Sequence, residues 1–133
     1  MPSITKEQVD STNAKCSNGW KLDVEYYLSH GEKTLIKCVT LDEKNYLEFT
    51  IRYNYKNQIS LHISKFYHEK GDYFASTHGM GKNKVLNEIQ AKRKSVNNLI
   101  EFTRTLTDEV LRKINNDTEV AKGEGLILQS EDF

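Results

Sequence analysis

The sequence predicts an α+β protein: an antiparallel β-meander of four to five strands, followed by a long C-terminal helix. Three observations predict it. From Gly19 to about Thr77, apolar and polar residues alternate in short runs, the period of a half-buried strand. Turn-forming clusters separate those runs. From Asn83 onward apolar residues recur at spacings of three and four, the period of an amphipathic helix.

Residues 1–18 lack an apolar period, and "TKEQVDSTNAK" fits either a short helix or a loose arm. Leu22, Val24, Tyr26 and Leu28 then alternate with Lys21, Asp23, Glu25 and Tyr27, which reads as a strand over 19–28. Residues 1–31 are thus an N-terminal arm with an extra strand. After the turn "HGEK", the β-branched run "TLIKCVTL" is the next strand. "DEKN" leads into "YLEFTIRY", where Leu47, Phe49, Ile51 and Tyr53 share one face. "NYKNQ" leads into "ISLHISKFY", where Ile59, Leu61 and Ile63 oppose Ser60, His62 and Ser64. Such strands suit a sheet with one covered and one wet face. "EKGD" is a further turn, and "YFAST" a short fifth strand.

Between Asn83 and about Asn116 the helical stripe comprises Val85, Ile89, Val96, Leu99, Leu106 and Val110, widened by Ile100, Phe102, Leu111 and Ile114. One continuous helix would run roughly 50 Å, more than a small sheet needs for its own cover. Two readings follow. Either Val96, Leu99, Ile100, Phe102 and Leu106 form the seam of a helix-mediated homodimer, or the helix breaks near "TRTLTDE". In the second case Thr107 and Asp108 are the candidate caps. The main domain spans 32–117, and 118–133 is an acidic tail of disordered type. Trp20, the lone tryptophan, is expected in the core.

The 133 residues carry no net charge, but the charge is unevenly spread. Residues 32–94 carry +5 and residues 108–133 carry −4. A basic middle with an acidic tail suits a domain that binds polyanions. No run approaches the roughly 20 apolar residues of a membrane helix. No secretory signal is visible, and Cys16 and Cys38 form no CxxC pair. Free thiols in a cytoplasmic protein are the expectation.

Catalytic and metal-binding patterns fail on particular residues. "STHGMGKN" departs from the phosphate loop twice: Ser76 stands at the first glycine, and Asn83 follows Lys82 where a hydroxyl residue should. A turn is the plainer reading. His62, His68 and His78 have no cysteine or carboxylate pair at zinc spacing. "HEK", at 68–70, reads as a solvated turn. The expectation is a non-enzyme with no cofactor and no metal.

What survives is aromatic and basic. Arg52, Tyr55, Lys56, Lys65, Tyr67, Tyr73, Phe74, His78 and Lys82 fall within one short segment. Single-stranded nucleic acid needs this mixture: cations for phosphates and exposed rings for unpaired bases, each stacked base being worth roughly 1–3 kcal/mol. The competing reading puts half of these rings in the core.

The order of these residues adds to their kind. "RYNYKNQISLHISKFYHEKGDYFASTHGM" resembles the single-stranded-DNA-binding domain of the transcriptional positive cofactor four family. "YKNQ" is similar to its basic, aromatic turn, "ISLHISKFY" to its strand ending in an aromatic pair, "EKGDY" to its acidic glycine turn, and "STHGM" to its approach to the helix. The resemblance covers residues 34–102 and is close over 52–83. It implies a four-stranded sheet plus helix, a dimer pairing through that helix, and single-stranded DNA as ligand without enzymatic activity. It places stacking rings at Tyr55 and Tyr67, a phosphate lysine at Lys56, basic positions at Thr77 and His78, and a further cation at Arg52. Departures are Ser64 at a family arginine, Phe74 at a lysine, Ala75 at a proline and Gln58 at a second basic position. Lys44, Lys65 and Lys82 are left to compensate, so stacking should outweigh phosphate contact.

The chain ends "QSEDF", similar to the acidic tip of bacterial single-strand-binding proteins, which implies replication or repair proteins as partners. The rival expectation is a protein-interaction module acting on a partner protein through the long helix.

Overall fold

The computed structural model describes residues 2–43, 45–67, 84–91 and 93–116, without the side chains of 65–67 and 84–87. The fold is α+β. Helix α1 (Lys6–Lys15) precedes a two-residue strand β1 (Lys21–Leu22) and helix α2 (Val24–His30). Strands β2 (Leu35–Thr40), β3 (Asn45–Tyr53), β4 (Gln58–Tyr67) and β5 (Lys84–Gln90) follow. Helix α3 (Val96–Phe102), a 3-10 turn (Thr103–Thr105) and helix α4 (Asp108–Asn116) complete the described chain. The five strands form one sheet in the order β1-β2-β3-β4-β5, every neighbour antiparallel.

The three central strands stand where alternation placed them. Leu35, Val39, Leu47, Phe49, Ile51, Ile59, Leu61 and Ile63 are all buried on one face. They pack with Trp20, Leu99, Phe102, Leu106, Leu111 and Ile114 in a single core. Each fully buried side chain of this size contributes about 1.5–3 kcal/mol relative to exposure. Trp20 is in the core, as expected, and its indole N–H donates to the Leu106 carbonyl at 3.2 Å. Lys37 is a charged residue that the register sets opposite Phe49. Its ammonium meets Asp108 in the first turn of α4 at 2.8 Å and also donates to the Asn18 carbonyl.

The N-terminal segment differs from the expected strand over 19–28. Only Lys21 and Leu22 pair, with Ile36 and Leu35. Asp23 then stops the strand, because its carboxylate accepts the Tyr26 N–H at 3.1 Å and caps α2. Gly31 ends the helix at φ 74° with its N–H on the Tyr27 carbonyl, the left-handed cap that glycine adopts without a Cβ penalty. Over seven residues, caps outweigh alternation, and Leu28 ends 43% exposed. Residues 6–15 are helical. Thr5 and Gln8 form a reciprocal capping box at the N-terminus of α1.

The helical segment expected over 83–116 begins instead as a strand. Its first third is β5, paired with β4 from Gln58↔Gln90 to Ile63↔Lys84 around an irregularity at Leu61/His62. The even spacing of four between Val85 and Ile89 fits the period of a strand as well as of a helix, although the register shift sets Val85 opposite His62 and Ile89 opposite Ile59. A strand therefore stands at Lys84–Gln90, where the expected helix was to begin. Beyond β5, the Ser95 hydroxyl accepts from the Asn97 N–H at 3.1 Å and caps α3. The Tyr53 hydroxyl pins that corner, donating to the Ser95 carbonyl at 2.8 Å and accepting from its N–H at 3.1 Å. The break falls at "TRTLTDE", where the Thr107 hydroxyl accepts from Val110 N–H at 3.2 Å and caps α4.

This break decides where the stripe goes. Leu99, Phe102 and Leu106, expected in a dimer seam, are buried inside the protomer, while Val96 and Ile100 remain half-buried. Folding back as two short helices lets the stripe cover its own sheet. Among the described residues no helix is long and apolar enough to cross a membrane. The strand expected at "YFAST" and the tail at 118–133 lie outside the described residues.

Candidate nucleic-acid interface

The turn joining β3 to β4 is built by asparagines. Asn54 Oδ1 accepts from the N–H groups of Lys56 at 2.8 Å and Gln58 at 3.0 Å. Its amide nitrogen donates to Gln58 Oε1 at 2.9 Å. Backbone bonds from Asn54 to Gln58 and from Asn57 to Asn54 close the loop. Asn57 sits at φ 60°, a left-handed conformation that asparagine tolerates better than most residues. The fixed turn holds Tyr55 out, 88% exposed. The Lys56 ammonium lies 5.5 Å from the centre of that ring, a cation–π contact of about 0.5–1 kcal/mol at an exposed site.

Beside the tip, the uncovered face of the sheet carries a transverse row. Arg52 on β3 pairs in register with Ser60 on β4, which pairs with Glu88 on β5. Neighbouring strands lie about 4.8 Å apart, so the two long side chains start roughly 10 Å from each other across a small one. Helix α2 supplies a wall: the Arg52 guanidinium carbon lies 5.7 Å from the Tyr26 ring centre, and that ring stacks on His30 at 4.3 Å. Together with Tyr55, His62, Glu32 and Lys94 these groups line a pocket of about 420 Å³, within the range of about 300–1,000 Å³ seen for ligand sites.

The electrostatics of the face are mixed. Burial, and then Arg52, hold the His62 imidazole below its ordinary pKa, against the opposing pull of Glu88. Further along, burial and then Asp23 push the Glu48 carboxyl up. Burial and then Glu48 push the Cys38 thiol up, against Lys21. A larger concavity of about 590 Å³ at the β1–β2 edge is lined by Lys21, Asp23, Glu25, Lys37 and Cys38 among others. It contains no aromatic ring, and Lys37 is already paired, so the hairpin pocket is the better candidate for bases.

Arg52, Tyr55 and Lys56 come together as the sequence suggested. Ser64 lies further along the uncovered face, in register with Glu48. Lys65 pairs with Leu47 and Tyr67 with Asn45, at the far end of the hairpin. The ten residues of β4 span about 30 Å at 3.3 Å each, so Tyr55 and Tyr67 do not share one compact ledge. Lys44, Phe74, Thr77, His78 and Lys82 lie outside the described residues. Sequence reasoning left Tyr26, Ser60, His62, Glu88 and Lys94 out of the site. Ser60 and His62 were visible in the alternation of β4, but the others were hidden by reading 24–28 as strand and 83–94 as helix.

No family model matches this chain, and neither a curated protein nor a solved structure matches it.

Proposed function

We propose that the protein is a non-enzymatic binder of single-stranded DNA, whose contact surface is the β3–β4 hairpin tip and the adjoining pocket. The observation that carries this reading is Tyr55: a ring presented almost wholly to solvent by a rigid turn, with Lys56 against it and Arg52 and Lys94 nearby. A base stacks on such a ring with little regard for sequence, and Lys56 beside it can receive a flanking phosphate. Roles in replication, recombination or transcription follow from that activity, with replication or repair proteins as partners of the acidic tail. The resemblance to the positive cofactor four family supports the same ligand through the order of residues 52–67.

The homodimer belongs to this proposal in reduced form. Val96 and Ile100 retain apolar surface on α3, whereas their three companions serve the protomer core. Sedimentation of the purified chain tests it. A protein-interaction role through the C-terminal helices draws less support, because burial of Leu99, Phe102 and Leu106 consumes most of the stripe it would use.

Fluorescence anisotropy with labelled single-stranded and duplex oligonucleotides at two salt concentrations tests the main claim. Single strands should bind more tightly than duplex. About 0.7 counterions are released per neutralised phosphate on a single strand. Three cations near the tip set the upper limit, so the log–log salt slope should be no steeper than about −2. Equal affinity for duplex, or a much steeper slope, would contradict the stacking-led reading.

A further inference from the structure

The pocket beside Tyr55 is better suited to one nucleobase than to phosphate. Its formal charges cancel: Arg52 and Lys94 oppose Glu32 and Glu88, so an added phosphate would meet two carboxylates at close quarters. Its floor is Ser60, 1% exposed, whose hydroxyl has no hydrogen-bond partner among the described residues. An orphaned buried hydroxyl costs about 1–3 kcal/mol, a loss that an entering polar edge removes. The register places Arg52 on one side of this serine and Glu88 on the other. A donor fork and an acceptor pair thus face each other across a small residue, with Tyr26 and Tyr55 as aromatic walls.

On this geometry, which rests on the proposed single-strand reading, we propose that the pocket selects guanine. Arginine pairs bidentately with the O6 and N7 acceptors of guanine, its commonest specific partner. The remaining polar edge of guanine carries two adjacent donors, N1–H and the N2 amino group. These match the two oxygens of Glu88, and a carboxylate accepts several donors at once, so its approach to His62 does not exclude a base. Adenine, cytosine and thymine each lack either the paired acceptors or the paired donors, and cannot engage Arg52 and Glu88 together in this way.

The test is anisotropy on the full chain with twelve-residue thymidine oligonucleotides carrying a single central dG, dA, dC or dT. A bidentate pair discriminates by about 1–3 kcal/mol, so the dG strand should bind at least about fivefold more tightly than the other three. In Glu88→Ala the ratio of dG to dT affinity should fall, and in the double variant Arg52→Ala/Glu88→Ala it should fall towards one. Equal affinity for all four strands overturns the guanine pocket and leaves the single-strand reading standing, whereas no binding to any of them removes both. A dG preference undiminished in Glu88→Ala, or persisting in the double variant, also overturns the proposal. Free guanosine monophosphate serves as competitor. Displacement at concentrations no higher than those of the oligonucleotide would assign the pocket to free nucleotide instead of a strand, and so count against it.

Discussion

The two faces of the sheet use the same strands for opposite ends. On the covered face Phe49, Ile51, Leu61 and Ile63 are buried apolar groups of one core, and Lys37 opposite Phe49 has its charge paired with Asp108. On the other face, one residue along each strand, Thr50, Arg52, Ser60 and His62 are polar groups at varied depth, one of them a hydroxyl with no partner among the described residues. Apolar burial, with the Lys37 charge paired, marks the face that holds the fold together. Polar groups kept at a cost mark the face with something to bind. The sharpest way to break this comparison is to weaken each face and ask which property moves.

The largest effect should come from the covered face. Phe49→Ala removes a fully buried ring and leaves a cavity, for an expected loss of about 3–5 kcal/mol in denaturant unfolding. A loss under about 1 kcal/mol would mean that the core repacks freely and that the contrast between faces is shallow. Tyr55→Ala should do the reverse. Its exposure predicts a stability change within about 0.5 kcal/mol, while affinity for single strands should fall by about 1–3 kcal/mol, or roughly 5–150-fold. Unchanged affinity would take Tyr55 out of the site.

These two residues also mark what was legible in advance. Strands β2, β3 and β4 could be read because each repeats its alternation over six residues or more and ends in strong turn chemistry. The trio Arg52, Tyr55 and Lys56 could be read because its members are sequence neighbours around one turn. Helix α2 could not, since seven residues leave period two and period 3.6 nearly indistinguishable and the decision passes to Asp23 and Gly31. Strand β5 could not, since it carries few apolar positions at an even spacing. The Arg52–Ser60–Glu88 row depended on that strand and on its register, which no local pattern encodes. The expected dimer seam failed for a related reason: a stripe reveals that a face is buried, not whose surface buries it.

A charge on the apolar side offers a middle-sized test. Lys37 is 12% exposed and Asp108 49% exposed in their 2.8 Å pair. The cost of removing Asp108 should lie between that of an exposed pair and that of a buried one, about 1–2 kcal/mol for Asp108→Ala. Adding Lys37→Met should recover much of the loss, because an apolar side chain suits the surroundings of Phe49 better than an unpaired ammonium. If the double variant is less stable than the single, Lys37 holds the fold chiefly through the Asn18 carbonyl. Smaller still is Ser60→Ala. Deleting an unsatisfied hydroxyl should raise unfolding free energy by about 1 kcal/mol, a gain in stability at the pocket floor that accompanies weaker discrimination of bases. A destabilised variant would show that the hydroxyl is satisfied in solution, and the floor would lose its claim to a ligand.

The smallest effects separate two titrating groups on the uncovered face. Burial and Arg52 depress the pKa of His62 below its ordinary 6.5, so the folded state binds its proton less readily than the unfolded one. Stability from this residue is complete above pH 6.5 and is lost as pH falls through the folded value. Glu48 runs the other way. Burial and Asp23 raise it above its ordinary 4.5, so its favourable contribution is complete below pH 4.5 and is lost as pH rises through the folded value. Both groups are half-exposed, and solvent keeps both effects modest. Denaturant midpoints from pH 4 to 8 should therefore show Glu48→Gln more stable than the parent chain at pH 7, with the gain vanishing towards pH 4. His62→Gln should match the parent in its pH dependence above 6.5 and lose less stability below it. Were the two variants to shift the profile in the same direction, one sign would have to be wrong. The uncovered face would then be more solvated than its half-buried side chains indicate.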